Sequence, residues 1–135
     1  MNEKTTFFKV WGRSPNDLYI IGTKGVMLHY DGSTWENIDL GTEENLVTVH
    51  GNSERAVLVG GFGTGLVMTN DGDGFKSVDI GNVPQINGIF VADDRPAVAV
   101  GARGFVAREM DSGWVIDKEA PETFFIRLTT NSPVD

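Results

Sequence analysis

Three landmarks recur along this chain at one spacing, and that repeat constrains the fold more than any local pattern does. Asp31-Gly32 returns as Asp71-Gly72 and again as Asp111-Ser112, each step being 40 residues. The aromatic that follows returns as Trp35, Phe75 and Trp114, and the glycine ahead of it as Gly25, Gly65 and Gly104. A further glycine closes an apolar run in every copy: Gly22 after residues 18–21, Gly60 after 56–59 and Gly101 after 97–100. One unit of about 40 residues is therefore written three times. A unit that short cannot bury its apolar surface alone, so the copies must stack on one another.

Inside each copy the hydrophobic pattern has the period of strands. Short runs of Val, Ile, Leu and Phe are separated every 8 to 12 residues by Gly, Asn, Asp and Ser. The first copy reads as strands at 7–11, 17–22, 26–30 and 35–40. The second places them at 46–50, 55–60, 66–70 and 75–80, and the third at 87–91, 96–101, 105–109 and 113–117. No run has a convincing helical period. Four strands in about 40 residues is the pattern of a propeller blade. The expected fold is all-β: one domain of three four-stranded antiparallel β-propeller blades, at about 7–40, 46–80 and 87–117, plus one extra C-terminal strand.

Gly22-Thr23-Lys24-Gly25 and Gly101-Ala102-Arg103-Gly104 then become four-residue links between the second and third strands. Their glycines, and Gly65 in the second copy, are expected to supply positive φ. In the Asp-Gly turn between the third and fourth strands, Asp should bond its own backbone and Gly should take the left-handed conformation. The aromatic beyond it is expected to pack between sheets.

The first copy has a fuller wording. Val10-Trp11-Gly12-Arg13-Ser14-Pro15-Asn16-Asp17-Leu18-Tyr19, then Gly22, Gly25 and Leu28-His29-Tyr30-Asp31-Gly32-Ser33-Thr34-Trp35, resembles a bacterial repeat family. That family is written W-G-x-S-P-N-D-x-x-x-x-G-x-x-G and L-H-Y-D-G-x-x-W and occurs in large bacterial surface proteins. The resemblance implies β-propeller blades, and it carries no catalytic or binding residue with it. Copies two and three keep the glycines and the aspartate but not the Ser-Pro-Asn-Asp or Trp-Gly wording. The Asp31 turn is also similar to the Asp-box of sialidase-like propellers, with its aromatic one residue short of that pattern. Sialidase catalytic residues are not carried over.

Three blades do not make a ring, since propellers typically need four to eight, and both outer sheets of a three-blade stack are left uncovered. Thr123-Phe124-Phe125 repeats Thr6-Phe7-Phe8, and Ser132-Pro133 with Asp135 repeats Ser14-Pro15 with Asp17, so a fourth unit begins within 123–135. Two readings follow. Either two chains associate into a six-bladed ring, by isologous or head-to-tail contact, or the segment belongs to a longer array of blades.

Composition narrows the partners. Eleven Lys and Arg against nineteen Asp and Glu give a formal net charge of −8, which disfavours nucleic acid and anionic membrane surfaces. The absence of cysteine excludes disulfides, thiolate metal sites and thiol nucleophiles. No apolar stretch has transmembrane length and no signal-peptide core follows Met1, so the chain reads as made without export and cytoplasmic by default.

Gly60-Gly61-Phe62-Gly63-Thr64-Gly65 resembles a phosphate loop in composition only. It has no following helix and no Lys-Ser or Lys-Thr pair, and the repeat explains it as the second-to-third-strand link enlarged by two residues. Phe62 at its tip, with Thr64, and Lys24 and Arg103 at the matching tips, form the candidate ligand- or partner-binding rim. Those links share one end of the blades with the links between blades, 41–44, 81–85 and 119–122. Asp71 and Asp73 lack the distal acid of a calcium loop, and no cofactor or metal is expected. Asp93, Asp94 and Glu54 read as solvated turn charges, and His29 and His50 as hydrogen-bonded, partly buried side chains. The leading expectation is a non-enzymatic binding and assembly module that self-associates and presents a loop face to a glycan or protein. The alternatives are a lectin-like carbohydrate binder of a bacterial or phage adhesin and, last, an Asp-box glycosidase.

Overall fold

The structure is a computed structural model, and it describes residues 4–93 and 97–118. The first sheet contains β1 (Phe7–Ser14), β2 (Asp17–Gly22), β3 (Met27–Tyr30) and β4 (Trp35–Asn37). The second contains β5 (Leu46–Gly51), β6 (Ala56–Phe62), β7 (Thr64–Asn70) and β8 (Phe75–Val78). The third contains β9 (Ile86–Phe90), β10 (Val98–Gly101), β11 (Val106–Met110) and β12 (Gly113–Lys118). In each sheet the strands follow chain order and neighbours are antiparallel. The expected all-β fold of three four-stranded blades is what forms. The proposed fourth unit, 123–135, lies outside the described residues.

Burial along the second strand of each blade locates the cores. In β6, Ala56, Val57, Leu58 and Val59 are all fully buried, the continuous apolar run of a strand covered on both faces. Strand β2 alternates instead: Tyr19 and Ile21 are buried, while Leu18 and Ile20 are only half-buried. Strand β10 also alternates, with Ala99 buried and Val100 exposed. The middle blade is therefore sandwiched between the other two. One core joins Tyr19, Ile21 and Met27 of blade one to Leu46, Val49, Leu58 and Met68 of blade two. The other joins Val57, Val59 and Val67 to Ile86, Val91, Ala97, Ala99, Phe105 and Ala107.

The glycine that ends each second strand has a different reason from the expected one. Gly22 and Gly101 are extended, at φ −168° and −161°, conformations open to any residue. What they supply is room. The amide after each donates to the carbonyl just ahead of the blade's first strand: Thr23 to Thr6 at 2.9 Å, Gly61 to Asn45 at 2.8 Å and Ala102 to Gln85 at 2.9 Å. A Cβ on Gly22, Gly60 or Gly101 would overlap that same carbonyl oxygen. Gly65 is corrected in the same way: its φ is not positive, but a Cβ there would meet the Pro84 carbonyl and lie 2.8 Å from Val83 Cγ2. Gly25 does carry the expected positive φ, +74°.

Candidate functional site

The rim residues named from the sequence all fall at the same end of their blades, at the tips between second and third strands. Thr23–Gly25 and Ala102–Gly104 each form one tight turn, and Lys24 (φ 56°, ψ 37°) and Arg103 (φ 57°, ψ 37°) adopt the same left-handed backbone. That conformation costs a residue with a Cβ roughly 1–2 kcal/mol. The surroundings impose it. Val26 N–H donates to the Thr23 carbonyl at 3.1 Å, Phe105 N–H to the Ala102 carbonyl at 3.2 Å, and Lys24 N–H to Asn45 Oδ1 at 3.2 Å.

Blade two differs from the expected enlarged link. Its two extra residues continue the hairpin, pairing Gly61 with Gly65 and Phe62 with Thr64, and Gly63 at the tip takes φ 92°. Thr64 is exposed. The Phe62 side chain lies outside the described residues.

A cleft of about 650 Å³ is lined by Lys24 and Thr23 of this turn, by Lys4, and by Asp39, Leu40, Thr42 and Glu43 of the link to blade two. That link repeats a device the sequence reading missed. Asp39 Oδ1 accepts from Gly41 N at 3.0 Å, and Asp79 Oδ1 accepts from Gly81 N at 3.0 Å, with both glycines at positive φ. The 40-residue spacing of Asp39-x-Gly41 and Asp79-x-Gly81 was the available signal. The third link, 119–122, is outside the described residues. A smaller hollow of about 400 Å³ at this end is lined by Phe8, Asn45, Val47, Gly61 and Gln85.

The motif of the first copy builds the opposite end, where it acts as a structural bracket. Ser14 Oγ accepts from Asn16 N at 3.1 Å, and Asp17 meets His29 Nε2 at 2.7 Å and Arg13 Nη1 at 3.2 Å. Burial pushes the Asp17 carboxyl up, but the hydrogen bonds and charges of His29 and Arg13 outweigh it and hold it below its ordinary value. Arg13 also lies over the Trp11 ring and donates from Nε to the Asn52 carbonyl of blade two at 2.7 Å. Asp31 Oδ1 accepts from Ser33 and Thr34 N, both at 2.9 Å, as expected of the turn.

In blade two the same turn is made differently. Asn70 Oδ1, not Asp71, accepts from Gly72 and Gly74, which leaves Asp71 facing Arg55. The following aromatics also divide. Phe75 and Trp114 pack against the cores, whereas Trp35 is 47% exposed and tilted on Tyr30, because none of the described blades covers that side of blade one.

His50 joins two blades. Its Nδ1 accepts from Val91 N at 2.9 Å, and its ring lies between Trp11 and Phe90. Burial, then Lys9, lowers its pKa from the ordinary histidine value. A depressed folded pKa means that the unfolded chain takes up the proton first as pH falls below about 6.5, the unperturbed value. This contribution to stability is complete above that pH and declines below it. The melting temperature should fall between pH 7.5 and 5.5, and His50→Gln should flatten the slope in that interval. An unchanged slope in the variant would assign the pH dependence elsewhere.

Among the described residues, no group of three or more His, Asp or Glu is placed to hold a metal ion. No protein-family model matches the sequence, and no curated protein does. Among solved structures the chain is similar in fold to YCF48 from Cyanidioschyzon merolae, a β-propeller protein, with a TM-score of 0.71 at 17% identity. The match covers all of this chain and 45% of that one, so the three blades correspond to less than half of a longer propeller protein.

Proposed function

We propose that the chain is a non-enzymatic β-propeller binding and assembly module that presents the end carrying Lys24, Phe62, Thr64 and Arg103 to a partner. The observation that carries this reading is the pair of matched turns. Two cations sit at the same point of the repeat, each on a left-handed backbone that glycine would adopt with less strain, and backbone strain of this kind concentrates where function requires it. The opposite end offers no such excess, since its Asp, Asn and Ser side chains are used in turn formation. The partner that suits two separated cations, one of them in a cleft that also holds Lys4, Asp39 and Glu43, is a protein surface of mixed charge.

The test uses the chain as immobilised bait at low and high salt. Lys24→Ser with Arg103→Ser should weaken capture of its partner by about tenfold or more, with folding intact, as loss of interface anchors does. Ser33→Ala at the other end should not weaken it. Capture that ignores the rim and falls with changes at Asp31 or Asp71 would reverse the assignment. Selective binding on a glycan array would identify a sugar in place of a protein.

A further inference from the structure

Strand pairing sorts the uncovered residues onto two faces. On blade one, Val10, Leu18, Ile20, Leu28, Tyr30 and Trp35 are mutual neighbours pointing away from blade two, and Val10 is 55% exposed. On blade three, Phe90, Val98, Val100, Val106 and Val115 point away from blade two around Arg108, with Phe90 58% exposed. Exposed apolar side chains gathered on one sheet face mark an interaction surface.

The repeat states which surface fits it. Val98 and Val100 stand where Tyr19 and Ile21 stand in blade one and Val57 and Val59 in blade two, counting back from the glycine that ends each second strand. Those four residues are seated against the following blade. Ile20 stands where Leu58 and Ala99 stand, and both of these are seated against the preceding blade. The free face of blade three is thus a leading face and that of blade one a trailing face. Both junctions inside the chain join a leading face to a trailing one. An aromatic row runs through them at one repeat position, from Trp11 to His50 (6.0 Å) and from His50 to Phe90 (5.4 Å). Among the described residues the row ends at Phe90, whose exposed ring still lacks its next neighbour.

We propose that a second copy of this chain supplies it: the leading face of blade three receives the trailing face of blade one of the partner copy, twice over, closing a ring of two chains. This rests on the reading of the chain as an assembly module and names its partner. Isologous pairing of two leading faces would bring together two neutral Arg108–Asp117 ion pairs and leave both trailing faces, with Val10 and Trp35, uncovered. Two copies would span about nine-tenths of the YCF48 chain, the length of a larger propeller protein.

Sedimentation equilibrium should give twice the 14.7 kDa chain mass. Val10→Glu and Val100→Glu alter exposed positions and should keep the wild-type circular dichroism, yet each alone should sediment as a monomer. Mixed in equal amounts they should associate again, because each retains the face that the other has lost. A wild-type chain that stays monomeric from micromolar to millimolar concentration would overturn the proposal, as would either variant remaining a dimer by itself. Those results are separate from the rim reading, which is decided by Lys24 and Arg103.

Discussion

Gly60→Ala should cost about 3 kcal/mol or more, a large part of the roughly 5–15 kcal/mol that holds a domain folded. Gly60 has no positive φ, so the usual penalty for alanine at a left-handed position does not arise. The obstacle is the Asn45 carbonyl, which a Cβ would overlap while Leu46 Cα lies only 2.9 Å away. Neither can retreat, because the same carbonyl accepts from Gly61 N–H at 2.8 Å and Leu46 is fully buried in the first core. Moving the carbonyl breaks a backbone hydrogen bond, and moving the strand opens the blade junction. Gly63→Ala provides the comparison, since its Cβ would meet nothing within 4 Å and only its φ of 92° is unfavourable. Urea denaturation of the two variants should show Gly60→Ala clearly the less stable. Equal midpoints would mean that conformation, not close approach, selects glycine at both sites.

The contrast between these glycines explains how far the sequence could be read. Repetition alone placed all twelve strands, because four alternating apolar runs between turn residues have one antiparallel solution and the 40-residue period repeats it. The reason for each glycine was not legible. A residue without a side chain looks the same whether the backbone needs positive φ, as at Gly25, or room for a carbonyl, as at Gly22, Gly60 and Gly101. Substitution between neighbours hid the second-blade turn as well: Asp71 occupies the repeat position of Asp31, but Asn70 one residue earlier reaches the amides first. For Trp35 the repeat position was right and the burial wrong, since burial depends on a neighbouring blade and none of the described blades lies on that side. The rim was legible as a location, because link positions follow from strand order. The matched left-handed turns at Lys24 and Arg103 were not, as nothing in those residue types announces positive φ.

The second large effect is expected at Arg55, which ties blade two to blade three. Its guanidinium grips Glu109 through two bonds, Nη1 to Oε1 at 2.6 Å and Nη2 to Oε2 at 2.8 Å, a bidentate geometry that lysine cannot reproduce. The hydrogen bond to Glu109 raises the Arg55 pKa against the opposing effect of burial, so the guanidinium stays charged. Arg55→Met should cost about 2 kcal/mol, less than a fully buried pair because both side chains keep some contact with water. Most of that loss comes from leaving the Glu109 carboxylate at a blade junction without its partner. Glu109→Leu in the same chain should therefore recover much of it, giving a coupling of about 1 kcal/mol or more in a double-mutant cycle. Simple additivity of the two substitutions would show the pair to be a solvated surface contact. The cycle should also respond to salt less than that of a fully exposed pair, since most of both side chains is withdrawn from solvent at the seam between blades.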